Sequence, residues 1–185
     1  MNIGHSSISE WGLSHLSAAE YRNILDIGCG GGANIERLLK RYASSRVDGI
    51  DYSEVSVEIS RRKNARMLGK RCAIRQGDVS ALPYDNEVFD MVTAFETVYF
   101  WPDIQNAIRE VRRVLRAGGL FLICNDASDP TDDTWTSRIE GMRVYGKEEL
   151  TDMLSNSGFS DIRCDINEKG WLCVTAAAVD GKGEA

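Results

Sequence analysis

The sequence predicts an α/β protein: a three-layer α/β/α sandwich around a seven-stranded, mostly parallel sheet with an antiparallel last strand. Three observations predict it. Short apolar runs rich in β-branched residues alternate with segments of helical period, the pattern of a parallel sheet covered on both faces. Seven such strand-like runs occur along the chain. The last two are joined only by Asn167-Glu168-Lys169-Gly170, too short for a parallel crossover, so they must run antiparallel as neighbours.

Each element follows in order. In the N-terminal segment 1–20, Ile8, Trp11 and Leu16 hint at an amphipathic helix that caps the core. Ile24-Leu25-Asp26-Ile27 reads as a strand closed by the glycines Gly28 to Gly32. Ile35, Leu38, Leu39 and Tyr42 then keep the i, i+3, i+4, i+7 spacing of a helix with one buried stripe. Val47 to Ile50 is a second strand ending at Asp51, and Ser53 caps a helix running to about Leu68. Cys72 to Arg75 is a third strand that enters the turn Gly77-Asp78, and residues 88–95 form a fourth. Asp103 caps a helix that buries Ile104, Ala107, Ile108, Val111, Val114 and Leu115, with Gly118-Gly119 as its stop. Leu120 to Cys124 is the fifth strand. The segment 126–146 opens in polar residues and is long enough to act as a lid. Lys147 to Asn156 is a last helix, stopped near Gly158, followed by strands over Phe159–Ile166 and Trp171–Ala178. The tail after Asp180 is expected to fray. No repeat or linker divides residues 1–185, so a single domain is expected.

Composition narrows the function. A chain of 185 residues with 43% hydrophobic content can bury one sizeable core. No apolar run approaches the ~20 residues that cross a bilayer, and the first residues lack the basic start and apolar stretch of a signal peptide. Those two absences point to the cytoplasm and away from a membrane. The net charge of −6 sets the whole-protein field against polyanions and so against nucleic acid as a main partner. Arg61-Arg62-Lys63 reads as a solvated helix face offset by nearby acids. Cys29, Cys72, Cys124, Cys164 and Cys173 show no C-x-x-C spacing and accompany only two histidines. They read as small core residues, and no metal site is expected.

The residues with chemical promise fall at strand ends, where doubly wound sheets bind ligands. The glycines of Gly28-Cys29-Gly30-Gly31-Gly32 allow a tight turn and close approach of a ligand to the backbone. The helix that follows offers free N–H groups to an anionic group. Gly28-x-Gly30-x-x-Ala33 also satisfies a dinucleotide pattern, so the loop alone leaves the ligand open. Three acids narrow it. Asp26 heads the loop, where an ammonium is a better neighbour than a pyrophosphate. Asp51 ends the second strand, placed to accept both hydrogen bonds of a ribose diol. Asp78 follows the third strand, near the place of an adenine amino group. Together they describe adenosine carrying a cationic amino-acid tail, as in S-adenosylmethionine (SAM).

On these residues the chain resembles the class I SAM-dependent methyltransferases of the small-molecule type. Asp26-Ile27-Gly28-Cys29-Gly30-Gly31-Gly32 matches the family's D-x-G-x-G-x-G loop, and Asp51, Gly77-Asp78 and Arg113 to Gly119 match further positions. The resemblance implies that Asp26 and the backbone of Gly28, Cys29, Gly30 and Gly32 hold the methionine end of SAM. It implies that Asp51 binds the ribose with Tyr52 beside the adenine, and that Gly77, Asp78 and Val79 recognise the base. Ala94, Phe95 and Glu96 would flank the sulfonium. The family's usual helical cap is short here, about twenty residues.

Methyl transfer from a sulfonium expels a neutral thioether, so an enzyme contributes chiefly alignment and exclusion of water. A base is needed only when the acceptor must lose a proton. The acceptor is expected near Glu96-Thr97-Val98-Tyr99-Phe100-Trp101, where Glu96 and Tyr99 can hydrogen-bond it and the aromatic residues can shield a cation, pack an apolar acceptor or simply pack on the core. His5 is a further candidate if the N-terminal segment folds over SAM, and Trp135 and Tyr145 are candidates on the lid. A small-molecule acceptor, S-adenosylhomocysteine as product, and a monomer or homodimer are expected. Two other readings stay open: an NAD-dependent dehydrogenase, and a non-catalytic module that keeps the methyltransferase fold.

Overall fold

The computed structural model describes residues 5–17 and 19–179, without the side chains of His5 and Ser6. Its elements run α1 (His5–Ser14), β1 (Asn23–Ile27), α2 (Ala33–Arg41), β2 (Arg46–Asp51), α3 (Glu54–Lys63), β3 (Cys72–Gln76), β4 (Phe89–Phe95), α4 (Ile104–Val114), β5 (Leu115–Asn125), α5 (Lys147–Ser155), β6 (Phe159–Ile166) and β7 (Leu172–Ala178). The seven strands form one sheet in the order β3-β2-β1-β4-β5-β7-β6. β1 to β5 are mutually parallel where they pair, and β7 runs antiparallel to both β5 and β6. The expected architecture is therefore the observed one, with a connection of five residues, 167–171, forcing the reversal of β7.

Alternation along the strands supplies two cores. Leu25, Ile27, Val92 and Ala94 pack with Ile108, Val111, Val114, Leu150 and Leu154 of α4 and α5. On the other face Ile24, Val47 and Met91 pack with Ile8, Leu13, Ile35, Leu38 and Val57 of α1, α2 and α3. Cys72, Cys124 and Cys173 are buried in strands, Cys29 is buried in the glycine loop, and all five thiols are free.

Several boundaries differ from the sequence expectation. α3 stops at Lys63 and not near Leu68, because Asn64 turns its amide back onto the carbonyls of Gly32 and Ser60, both at 3.0 Å. α4 ends at Val114, because Leu115 already pairs with Phe89 of β4. Gly118 and Gly119 therefore lie in a bulge between the Leu115 and Leu120 pairings, where Gly118 takes φ 72°. Arg61, Arg62 and Lys63 are each engaged, on the Ile74 carbonyl, Glu58 and Glu36 respectively. α1 docks on the sheet beside β5, tightly enough that a Cβ on Gly12 would stand 2.7 Å from Cys124 Sγ. Among the described residues no helix is long and apolar enough to cross a membrane, and no cluster of three ligating side chains is placed to hold a metal.

The strand order reverses between β1 and β4. Their carboxyl ends part there, leaving a crevice at the topological switch point.

Candidate cofactor and acceptor site

A cavity of about 500 Å³ opens at that crevice, within the ~300–1,000 Å³ typical of small-molecule sites. Its walls bring together Gly28, Asp51, Tyr52, Gly77, Asp78, Val79 and Glu96, all singled out by the sequence. Ile27, Ile50, Thr97, Phe100, Trp101 and Pro102 complete it.

The glycine loop is shaped by backbone demands. Gly28, Gly30 and Gly32 take φ 64°, 50° and 76°, a region that L side chains enter at a cost of ~1–2 kcal/mol. A Cβ on Gly28 would also meet Thr97 Oγ1 at 2.1 Å, whereas one on Gly30 would have only the Gly28 carbonyl oxygen near it, at 4.0 Å. Gly30 N–H donates to Asp51 Oδ2 at 2.8 Å and Ser53 N–H to Asp51 Oδ1 at 2.9 Å. These bonds hold the carboxylate at the cavity wall, and each oxygen keeps lone-pair capacity for a further donor. Asp78 is fixed in the same way: its Oδ1 accepts from Ser80 N–H at 2.8 Å and from the Ser80 hydroxyl at 2.5 Å. Those bonds hold its carboxyl below the usual range.

Asp26 lies beneath the loop. Its Oδ1 accepts from the Thr93 hydroxyl at 2.7 Å, while Oδ2 is buried without a hydrogen-bond partner. Burial pushes its carboxyl up to about 7, opposed by the Thr93 bond and helped by the charge of Asp51. A buried carboxylate with one unsatisfied oxygen is costly unless a donor or cation meets it.

Across the cavity, Glu96 follows the last residue of β4 at φ 58°, a strained conformation of the kind that collects at functional sites. Its Oε1 accepts the Asp126 N–H. Burial, then the neighbouring Asp126 charge, raise its carboxyl to about 8.

Other expected site residues sit elsewhere. Tyr99 is buried and does not face the cavity; its hydroxyl accepts the Ala127 N–H at 2.8 Å and lies 3.3 Å from the Ala127 carbonyl. It ties the segment 126–146 down, as does Arg143 N–H on the Tyr99 carbonyl at 3.0 Å. Cys29 is buried behind the loop, its N–H on the Ile50 carbonyl. Gly32 abuts Ser60 and Asn64, where it makes room for α3 against α2. Ala94 and Phe95 are buried in β4, Tyr145 is in the core, and Trp135 is exposed away from the cavity walls. The side chain of His5 lies outside the described residues.

Ile27, Ile50 and Pro102 line the cavity without a signal in the sequence. The two isoleucines end their strands like any core residue, and Thr97, named with the acceptor segment, also abuts Gly28. Trp101, open in the sequence between lining and core, is both: buried, stacked on Phe121 at 6.5 Å, with an edge on the cavity. Asn125 ends β5 fully buried with neither amide atom hydrogen-bonded, which no spacing in the sequence signals.

The family model described as "Methyltransferase domain" matches residues 25–123, more than half of the chain. The chain belongs to the class I SAM-dependent methyltransferase family. A relative from Bacillus subtilis (strain 168), "Uncharacterized methyltransferase YdaC", is 25% identical over 179 residues, covering 96% of this chain and 94% of the relative. A rice protein, "2-methyl-6-phytyl-1,4-hydroquinone methyltransferase 2, chloroplastic", is 31% identical over 144 residues, covering 76% of this chain; the chain spans only 39% of that protein's length. Among solved structures, phosphoethanolamine N-methyltransferase 2 of Haemonchus contortus in complex with SAM superposes with a TM-score of 0.83 at 14% identity, over 95% of this chain and 53% of that one. Of the glycine loop and acids that carry the resemblance, Gly28, Asp51 and Asp78 line the β1–β4 crevice, whereas Asp26, Cys29, Gly30 and Gly32 stand behind its wall.

Proposed function

We propose that the chain transfers a methyl group from SAM to a small-molecule acceptor in the cavity between β1 and β4. The observation that carries the reading is the placement of Asp51 and Asp78 on one cavity wall beside Gly28, with Asp26 buried beneath the loop and one of its oxygens without a hydrogen-bond partner. These residues fit the cofactor: Asp51 accepts from the ribose diol, Asp78 and Val79 face the adenine, and Asp26 with the Gly28–Gly32 backbone holds the amino-acid end.

When bound, SAM supplies an electrophilic methyl group on a sulfonium. The chain's own work is placement and shielding. Ile27, Ile50 and Trp101 keep water from one side of the cavity, and Phe100 stands half-exposed at its mouth, where an acceptor would enter. For an acceptor that must lose a proton, the Glu96 carboxyl is the group placed to take it. Poised near pH 8, it changes state close to the working range of a general base. The hydroquinone and phosphoethanolamine named for the relatives above are both small molecules, in keeping with this reading.

The test is a thermal shift with SAM, S-adenosylhomocysteine, NAD and NADP in parallel. Ligand at ~100 times its dissociation constant stabilises by about 2.7 kcal/mol, roughly 5–10 °C for a domain of this size. A shift with SAM and S-adenosylhomocysteine alone is expected. A shift only with NAD or NADP would replace the reading with a dehydrogenase, and no shift with any would favour a module that keeps the fold without the chemistry.

A further inference from the structure

A second cleft, about 920 Å³, opens at the opposite end of the sheet, where β1 and β2 begin. Arg22, Arg41, Arg46 and Arg71 line it, beside Tyr21 and Tyr42. In a chain of net charge −6 this is an unusual local excess of cations, because the acids near it are few. Glu20 is the acid in the lining; Asp48 pairs with Arg46 at 3.0 Å, and Asp90 takes the Arg22 backbone N–H while pairing with Arg116.

The other three arginines have no carboxylate partner among the described residues. Arg71 donates to the carbonyls of Tyr42, Ser45 and Leu39 at 3.0–3.3 Å, which places its guanidinium and leaves its charge uncompensated. Arg41 reaches the Leu16 carbonyl and the Tyr42 hydroxyl, both at 3.3 Å. Arg22 is exposed, with no side-chain bond to any described residue. Tyr21 and Tyr42 meet edge to face at 5.4 Å and give the cleft a firm aromatic wall. Guanidinium forks match phosphate oxygens in geometry as well as charge. Three such groups around a concave, aromatic-walled cleft suit a compact anion better than an extended one, which would spread over the acidic remainder of the surface.

We propose that this cleft binds a small phosphate-bearing molecule, held by Arg22, Arg41 and Arg71. The site is separate from the cavity between β1 and β4 and does not depend on what that cavity binds.

The experiment titrates pyrophosphate, ADP and, as a control for charge alone, sodium sulfate into the full chain at fixed ionic strength, followed by calorimetry and by ¹H–¹⁵N chemical shifts. The expected result is saturable binding of pyrophosphate or ADP, with shifts concentrated at residues 19–23, 41–46 and 71. Tighter binding of ADP would identify a nucleotide through the tyrosine wall, and equal binding would identify the phosphate group alone. The variant Arg22→Gln/Arg41→Gln changes two exposed side chains and should keep the fold, while weakening binding by roughly tenfold or more, the scale of a lost charge-assisted contact. Arg22→Lys/Arg41→Lys keeps the charge without the fork and should recover only part of the loss. Binding no tighter than sulfate, unchanged affinity in the glutamine variant, or a preference for single-stranded RNA that grows with length would each overturn the proposal.

Discussion

On the side of the cavity built by β2 and β3, each carboxylate takes a hydrogen bond from the residue two positions further along the chain. Asp78 is held by Ser80, and Asp51 by Ser53 and by Gly30 on the adjacent strand's loop. On the side built by β4 and β5, the corresponding bonds join residues far apart: Glu96 to Asp126, and Tyr99 to Ala127. A loop that holds its carboxylates through its own turn can be written as a short motif, and it needs little from the remainder of the fold. A wall assembled from two distant segments can change its lining without disturbing that motif. On the proposed function this separates a cofactor half from an acceptor half, and the two halves should respond differently to mutation.

The largest expected difference is in pH dependence. Burial raises Asp26 to about 7, against ~3.9 for an ordinary aspartate. Between about pH 4 and pH 7 the folded state therefore keeps a proton that the unfolded chain has released. Stability falls as pH rises through that window and is level with respect to this group above it. About three pH units correspond to on the order of 4 kcal/mol. Glu96 acts in the same sense up to about pH 8. Urea unfolding of wild type and Asp26→Asn across pH 4–8 measures the effect. The asparagine can still accept from Thr93 but does not titrate, so the gap between the two proteins should widen in its favour as pH rises. A constant gap would mean that Asp26 is not carrying a proton in the fold.

Next comes the glycine loop. Gly28→Ala combines a positive φ with a contact at 2.1 Å to Thr97 Oγ1. Left-handed strain of ~1–2 kcal/mol and overpacking of ~1–3 kcal/mol give about 3 kcal/mol of lost stability. Gly30→Ala meets only the backbone penalty, about 1–2 kcal/mol, because the nearest atom to its Cβ would be the Gly28 carbonyl oxygen at 4.0 Å. Chemical denaturation of the two variants separates the effects. Equal losses would show that Thr97 moves aside freely and does not pin the loop to β4.

How far the sequence reveals each half follows from the same contrast. The places of Asp51 and Asp78 on the cavity wall are legible because strand periodicity puts them at or just beyond strand ends. The antiparallel β7 was legible because so short a connection cannot cross a sheet. Helix ends were less so. Val114 hands over to β5 through a pairing with Phe89, and α3 stops where Asn64 finds carbonyls of another loop; both depend on partners distant in the chain. Tyr99 shows the limit most clearly. Its position suggested a substrate contact, yet its hydroxyl is taken by Ala127, a partner no local pattern identifies.

Asp51→Ala tests the cofactor half alone. Removing an acceptor of the ribose hydroxyls should cost about 1.5–3 kcal/mol, a roughly ten- to hundred-fold loss of SAM affinity by calorimetry. The same variant frees the N–H groups of Gly30 and Ser53, so Asp51→Asn, which retains one acceptor oxygen, should fall between it and wild type. If both variants bind SAM as wild type does, the ribose is not at Asp51.

The smallest effect belongs to the acceptor half. Tyr99→Phe keeps the buried ring and deletes the hydroxyl that accepts the Ala127 N–H at 2.8 Å. About 1 kcal/mol should be lost, and it should be lost locally. The 126–146 segment is anchored at Tyr99 through both the hydroxyl and the backbone carbonyl that accepts from Arg143, and only the first anchor goes. Hydrogen exchange should therefore quicken at residues 126–129 while Arg143 stays protected through the surviving bond. SAM affinity should be unchanged, because Asp51, Asp78 and the glycine loop share no bond with this segment. A Tyr99→Phe protein that loses SAM binding along with the anchor would show that the two halves of the cavity are one cooperative unit, with the segment 126–146 helping to hold the cofactor as well as the acceptor.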